Sequence, residues 1–413
     1  MIEYRKNSIP NNKKIATKIL TAYGGGVSLI GDGVEYTAFG RDREVTRFNQ
    51  TLNMTASASG RMEAYVGPYG VGKSFLMSLF QSLAIKKNYV VMSADISRDK
   101  WFAGNGYAKQ GLNLYRELIK NTAIKGKSMN AFDLILEKWF EDLKEISRGD
   151  LTAIYAEFDR RVKEYNYLPH YDDVRHAIRR RFYEIYNDVD NSEAIPFFLA
   201  NITKKTDAQV IGAKDYIREE GWFDILNTYS HFFVAAGYKG LIVMFDQVDF
   251  LTNLAKINRQ QNYESMLTMW NNINQGRTEY LSVCIFAADK LLDDERRGVP
   301  MYQAIDDRMQ NSIRLQKLPD EQFVVLLIKL KDIHEYTYGW QSGITDEQVA
   351  DFVQQNIMKT SINGNCIRPM SMAWISYLDD MMAGIEDDPN TYVDKVDSKF
   401  KGDEALPEEF PDE

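Results

Sequence analysis

The sequence predicts an α/β protein in which a parallel sheet is covered by helices, and three observations carry that prediction. An apolar run, a glycine-rich loop, a helical pattern and a second apolar run succeed one another between Met62 and Ile96, the layout of a βαβ unit. The run Leu241-Ile242-Val243-Met244-Phe245 is apolar at every position, which suits the doubly covered centre of a parallel sheet. Between about 108 and 236, and again from Pro319 to about Met382, apolar residues recur at helical spacing with no strand alternation.

Taken in order, residues 1–40 contain Gly24-Gly25-Gly26 and Gly31-Asp32-Gly33, which read as turns around short strands such as Val34 to Ala38. The stretch Phe39 to Asn53 places Val45, Phe48 and Leu52 at helical spacing, a charged amphipathic helix. Met62 to Val66 reads as a strand, Ser74 to Ile85 as a helix and Tyr89 to Ile96 as the next strand. Ala131 to Ile146 and Val174 to Tyr186 stand out within a large helical insertion. The sheet resumes at Leu241, followed by a helix from about Asn262 to Asn274 and a strand from Leu281 to Ala287. The expected units are therefore 1–107 (N-terminal segment and first half of the core), 108–236 (helical insertion), 237–318 (second half of the core), 319–385 (C-terminal helical lid) and 386–413 (acidic flexible tail).

Composition narrows the class. Apolar residues make up 44% of the 413, charged residues 26% and aromatic residues 12%, too many core formers for a disordered chain and too much charge for a membrane protein. No apolar run approaches the ~18 residues of a membrane span, and MIEYRKNSIPNNKK has no apolar leader pattern, so a cytoplasmic protein is expected. Two cysteines and four histidines give neither a disulfide framework nor a zinc cluster. The net charge of −9 is concentrated at the end: residues 386–413 hold 11 acids against three lysines, leaving 48 acids and 47 Lys plus Arg in the rest. A charge-balanced body keeps phosphate and nucleic acid among the possible partners.

The sharpest motif is Gly67-Pro68-Tyr69-Gly70-Val71-Gly72-Lys73-Ser74, a complete GxxxxGK[ST] phosphate loop set between a predicted strand and a predicted helix. Glycines let such a loop wrap a phosphate while main-chain N–H groups and the helix N-terminus face the anion. Lys73 then bridges the β- and γ-phosphates of ATP, and Ser74 puts its hydroxyl on Mg2+. The alternative is a glycine turn that merely joins strand to helix. Asp246, at the end of the apolar strand, is the candidate metal carboxylate; otherwise it caps a turn. The next residue is Gln247, where many ATPases carry a glutamate to polarise water. An amide orients water but cannot take its proton, so slow turnover is expected. Asp249 is either a substitute base or a solvated turn acid.

Arg308, after the Leu281 strand, and Arg368, opening a C-terminal helix, are candidate γ-phosphate sensors, the first reaching a neighbouring subunit; Arg314 ranks third. For each the alternative is a surface salt bridge. Arg175, Arg179, Arg180 and Arg181, with Arg160 and Arg161 upstream and Tyr171, Phe182, Tyr183 and Tyr186 interleaved, form a candidate DNA contact, or a solvated face over core aromatics.

Several blocks of the chain resemble one family. Tyr65 to Phe75, Tyr89 to Ser97 and Gly111 to Leu118, then Gly237 to Asp249, Asn262-Tyr263 with Gln275-Gly276-Arg277, and Arg296-Arg297-Gly298 with Arg308, are similar to the ATP-binding proteins of BREX-type bacterial phage-defence islands. The resemblance spans roughly residues 35 to 380. It implies an AAA-like P-loop ATPase core with a helical lid, related to origin-recognition ATPases and acting against phage beside helicase- or nuclease-type partners. Lys73 and Ser74 match the family's phosphate loop, Asp246 its metal aspartate and Arg368 a lid arginine. The chain departs from the pattern in having Gln247 and Asp249 where the family has glutamate, and Ala287-Ala288-Asp289 in place of a threonine-like sensor. The expected function is a slow-hydrolysing nucleotide switch that forms a homo-oligomer and regulates DNA-acting partners. A DNA-translocating motor and an ATP-stabilised scaffold are the alternatives.

Overall fold

The computed structural model describes residues 8–104, 109–360, 367–385 and 387–400. Helix α1 (Lys13–Gly24) begins at Asn12, whose side chain accepts from the Lys14 N–H at 2.8 Å, an N-cap that satisfies one orphan donor of the first turn. A 3-10 turn, Val34–Thr37, follows where a short strand was expected. Gly33, at φ +111°, starts the turn, and Val34 and Tyr36 are buried in the core rather than laid along a sheet edge. Helix α2 (Asp42–Ala56) buries Val45, Phe48 and Leu52 as their spacing predicts. Strand β1 (Met62–Val66), helix α3 (Lys73–Lys86) and strand β2 (Val90–Asp95) complete the βαβ unit.

Among the described residues, seven α-helices separate β2 from the next strand: α4 (Gln110–Lys120), α5 (Phe132–Ile146), α6 (Leu151–Val162), α7 (Tyr171–Tyr186), α8 (Ile195–Phe198), α9 (Lys205–Val210) and α10 (Trp222–Ala235). Then come β3 (Leu241–Asp246), α11 (Lys256–Asn274), β4 (Leu281–Ala287), α12 (Lys290–Asp293), α13 (Gln303–Met309) and a two-residue strand, β5 (Ile313–Arg314). The last group is α14 (Asp320–Tyr338), α15 (Asp346–Thr360), α16 (Ile367–Met382) and α17 (Pro389–Phe400).

All four strand pairings are parallel, in the order β2-β3-β4-β1-β5. Period-two alternation sends the strand side chains to two separate cores. Ala64, Val66, Val243, Phe245, Val283 and Ile285 join the aromatic-rich core of α4 to α11. Tyr65, Ile242, Met244, Cys284 and Phe286 face the other way, with α1, α2, α3 and the C-terminal helices. Phe80 of α3 links the layers on that side, stacked on Phe48 at 4.1 Å between centroids and edge-on to Tyr65 at 5.0 Å, the offset geometries that aromatic quadrupoles favour. The helical stretch 108–236 thus shares one core with a face of the sheet.

Two features run against sequence expectations. Helix α1 packs on α14 and α16, so the beginning of the chain is part of the C-terminal helical layer. Part of the acidic end is a helix, not an unstructured tail: α17 packs on α15 and α16 and buries Tyr392 and Val393. Exposed Asp394 lies off a helical stripe formed by Tyr392, Val393 and Val396, and periodicity outweighs net charge where an apolar stripe has a partner. Pro389 stands at the first helical position, where its missing N–H costs nothing. Residues 401–413 lie outside the described residues.

Candidate functional site

The site sits at the carboxyl ends of β1, β3 and β4, where an open parallel sheet presents loops and helix N-termini to a ligand. Gly67 leaves β1 with its N–H bonded to the Ala287 carbonyl at 3.2 Å. A Cβ at this position would stand 3.0 Å from the Leu315 Cβ and 3.1 Å from a Val71 methyl, so a larger residue would push the loop away from the segment just past β5. Gly72 precedes α3 at φ +94°, a conformation that costs L-residues about 1–2 kcal/mol. The loop from Gly67, Pro68, Tyr69, Gly70 and Val71 therefore ends with the first N–H groups of α3 free of side-chain caps and facing outward from the helix N-terminus.

Lys73 donates to the carbonyls of Gly67 at 2.8 Å and Pro68 at 2.9 Å, and its ammonium lies 5.1 Å from the Tyr69 ring centre. Burial lowers its pKa, opposed by Asp249, Asp246 and Asp289, so the ammonium is surrounded by acids that keep it charged. The Ser74 hydroxyl donates to Asp246 Oδ2 at 2.9 Å, and the Gln247 N–H donates to Oδ1 at 2.8 Å. The two residues predicted to share a metal are thus in contact although 172 positions apart. Burial raises the pKa of Asp246; the two hydrogen bonds pull it down and neighbouring Asp95 adds to the rise. Asp95 itself, register partner of Asp246 across β2 and β3, is a carboxylate at the site that the sequence reading passed over.

Gln247 is exposed and adopts φ +56°, the left-handed region that a non-glycine residue occupies at a cost. Asp249 is buried, and both its oxygens accept: Oδ1 from the Ala288 N–H and Oδ2 from the Tyr69 hydroxyl, each at 2.8 Å, with Lys290 at 3.6 Å. It braces the tip of the phosphate loop against the end of β4. Burial and this carboxylate together raise the Tyr69 pKa, keeping the phenol a donor.

A further residue went unread in the sequence. Arg41, at the N-terminus of α2 and almost wholly buried, donates to the carbonyls of Val71 and Gln316. It clips the phosphate loop to the segment after β5; its only sequence signal is a charged residue beside Gly40 at a helix start. Arg308 is exposed on α13 and donates to Asn271 at 3.1 Å. Arg368 is exposed in the first turn of α16 with its stem beside Gly26; Gly364, Asn365 and Cys366 before it lie outside the described residues. Arg308 thus turns to α11 rather than to the phosphate loop.

The arginine-rich helix α7 is already neutralised. Arg175 makes two 2.7 Å bonds to Asp159, Arg179 reaches the same carboxylate at 2.6 Å, Arg180 pairs with Glu193 at 2.6 Å, and Arg181 holds Asp133 at 2.7 and 2.8 Å. Arg160 and Arg161 share Glu157 at 2.8 Å. Phe182 is buried, so the interleaved aromatics divide between core and rim. Among the described residues, no group of three or more His, Cys, Asp or Glu could hold a metal by itself, and no helix is long and apolar enough to cross a membrane.

Comparison with known proteins identifies the family. The family model described as BREX system ATP-binding protein BrxC/D matches residues 12–391. No curated protein matches the chain. The match runs from α1 through the phosphate loop, Asp246 and the C-terminal helices into α17; the chain belongs to the BREX system ATP-binding protein BrxC/D family, the ATP-binding proteins of BREX phage defence.

Proposed function

We propose that the chain is a magnesium-dependent ATP switch with an AAA-like core that turns its nucleotide over slowly and, in phage defence, assembles with copies of itself to regulate DNA-acting partners. The observation that carries this reading is the direct contact between the Ser74 hydroxyl and Asp246 beside a glycine-turned helix N-terminus. Hydroxyl and carboxylate oxygens are hard donors of the kind Mg2+ takes together with phosphate oxygens. When bound, the ion neutralises charge on the phosphates. An AAA-like core is supported by the sheet order, in which β4 separates the phosphate-loop strand from the strand ending in Asp246.

The chain's own residues divide the work. The N–H groups of the loop and α3 bind phosphate, and Lys73 turns from the Gly67 and Pro68 carbonyls to the β- and γ-phosphates. Gln247 orients the attacking water without accepting its proton, while Asp249 holds Tyr69 and Ala288 in place. Arg308, exposed on α13, extends toward a neighbouring copy; Arg368, on the lid, closes over the nucleotide. In this reading the ion pairs of α7 hold the helical layer together, and DNA is contacted by partners.

The test is the mass distribution of the purified chain with Mg-ADP and with Mg-ATP, alongside ATPase rates with and without DNA. A switch shifts to larger assemblies with ATP and shows no stimulation by DNA. An unchanged mass together with many-fold stimulation would replace it with a translocating motor.

A further inference from the structure

One arginine stands at the phosphate loop and has no part in the reading above. Arg314 of β5 pairs in register with Val66, the residue before Gly67, and Val66 pairs on its other side with Ala287 of β4. The next residue, Leu315, donates its N–H to the Val66 carbonyl at 2.7 Å and touches Gly67. The guanidinium does not remain on β5. It makes two bonds to Asp293 of α12, at 3.0 and 2.7 Å, and lies 3.6 Å from Asp289, just past the end of β4. Neighbouring strands are ~4.8 Å apart, so a side chain running from β5 to the segment after β4 crosses about two strand spacings. Its two ends therefore lie on either side of β1, whose last residue leads into the phosphate loop.

Asp289 is paired with Arg314 and lies within electrostatic range of Lys73, so Lys73, Asp289, Arg314 and Asp293 alternate in sign beside the loop. Arg314 is half exposed, with 47% of its side chain open to solvent, and an exposed ion pair contributes little to folding. The fork that grips a carboxylate with two parallel N–H groups fits phosphate oxygens equally well. The segment beyond the strand is fixed on the loop's other side, because Arg41 holds both Val71 and Gln316.

We propose that Arg314 reads the terminal phosphate of a bound nucleoside triphosphate, exchanging the Asp293 carboxylate for that phosphate and so separating triphosphate from diphosphate. The inference rests on the phosphate-loop reading given above. Release of Asp293 frees α12, which leads toward α13 and the exposed Arg308, and so carries the nucleotide state to the surface.

Equilibrium titration of the full chain with fluorescent ATP and ADP analogues in magnesium buffer tests this, using wild type, Arg314→Ala, Arg314→Lys, Asp293→Asn and Lys73→Ala. Arg314→Ala is expected to weaken ATP about tenfold while leaving ADP within about twofold. Arg314→Lys, with charge but no fork, should fall between, and Asp293→Asn should strengthen ATP several-fold by removing the competing acceptor. Equal weakening of ATP and ADP, or no change in either, would overturn the proposal and leave Arg314 a bridge between β5 and α12. If Arg314→Ala melts early, the lysine variant carries the same comparison. Lys73→Ala separates the two readings. Loss of both nucleotides there, with none lost on changing Arg314, overturns Arg314 alone; a wild type that binds neither nucleotide removes the phosphate loop and Arg314 together.

Discussion

In the proposed switch, Gln247 is the side chain that limits the rate of hydrolysis. It holds a left-handed backbone conformation, with its N–H tied to Asp246 and its side chain in solvent. An amide there can position water but offers no base. Asp249, the nearest alternative, already accepts from Ala288 and Tyr69 and is approached by Lys290. Gln247→Glu is therefore expected to raise the ATPase rate by about 10²-fold, the lower end of what a positioned base supplies, with nucleotide affinity little changed; steady-state phosphate release measures it. A rate equal to wild type would mean that the proton leaves by a route not involving position 247. The motif residues and Asp246 were legible because a phosphate loop is a contiguous chemical device. Arg41 was not, and Arg314 ranked only third among the candidate arginines, because a guanidinium acquires its role from what the fold sets beside it.

At the scale of elements, α7 shows how far composition can mislead. A helix with arginine at 175, 179, 180 and 181 looks like a phosphate-binding face, yet its cations meet Asp159, Asp133 and Glu193 on or beside neighbouring elements. Binding DNA there would require breaking those pairs. Arg181, with only 12% of its side chain exposed, is the most deeply placed; Arg181→Ala is expected to destabilise the chain by about 1–3 kcal/mol, the cost of taking two hydrogen bonds from half-exposed Asp133 and one neighbouring cation from buried Glu184. Urea titration measures that loss. A variant as stable as wild type that has lost DNA affinity would instead make α7 a nucleic-acid surface. The same lesson holds for α17, where net charge suggested an unstructured end and the spacing of Tyr392, Val393 and Val396 made a helix.

For the molecule as a whole, nucleotide binding and folding are linked, because a ligand held only by the native state stabilises it. Mg-ATP at about 100 times its Kd should add about 2.7 kcal/mol, raising Tm by a few degrees. Differential scanning fluorimetry should show that shift in wild type and none in Lys73→Ala; an equal shift in both would place the nucleotide elsewhere.

The sequence by itself determined the βαβ unit, the buried strands β3 and β4, the phosphate loop and the acid at position 246, since each is written in a local period or a contiguous motif. Only the tertiary structure decided that α1 belongs with the C-terminal helices, that β5 forms the sheet edge beside Gly67, and that Arg41, Asp249 and Arg314 gather around one loop. Those choices depend on which surfaces meet across hundreds of residues, and a side chain's charge does not reveal whether the fold will place it against a carbonyl, a carboxylate or a phosphate.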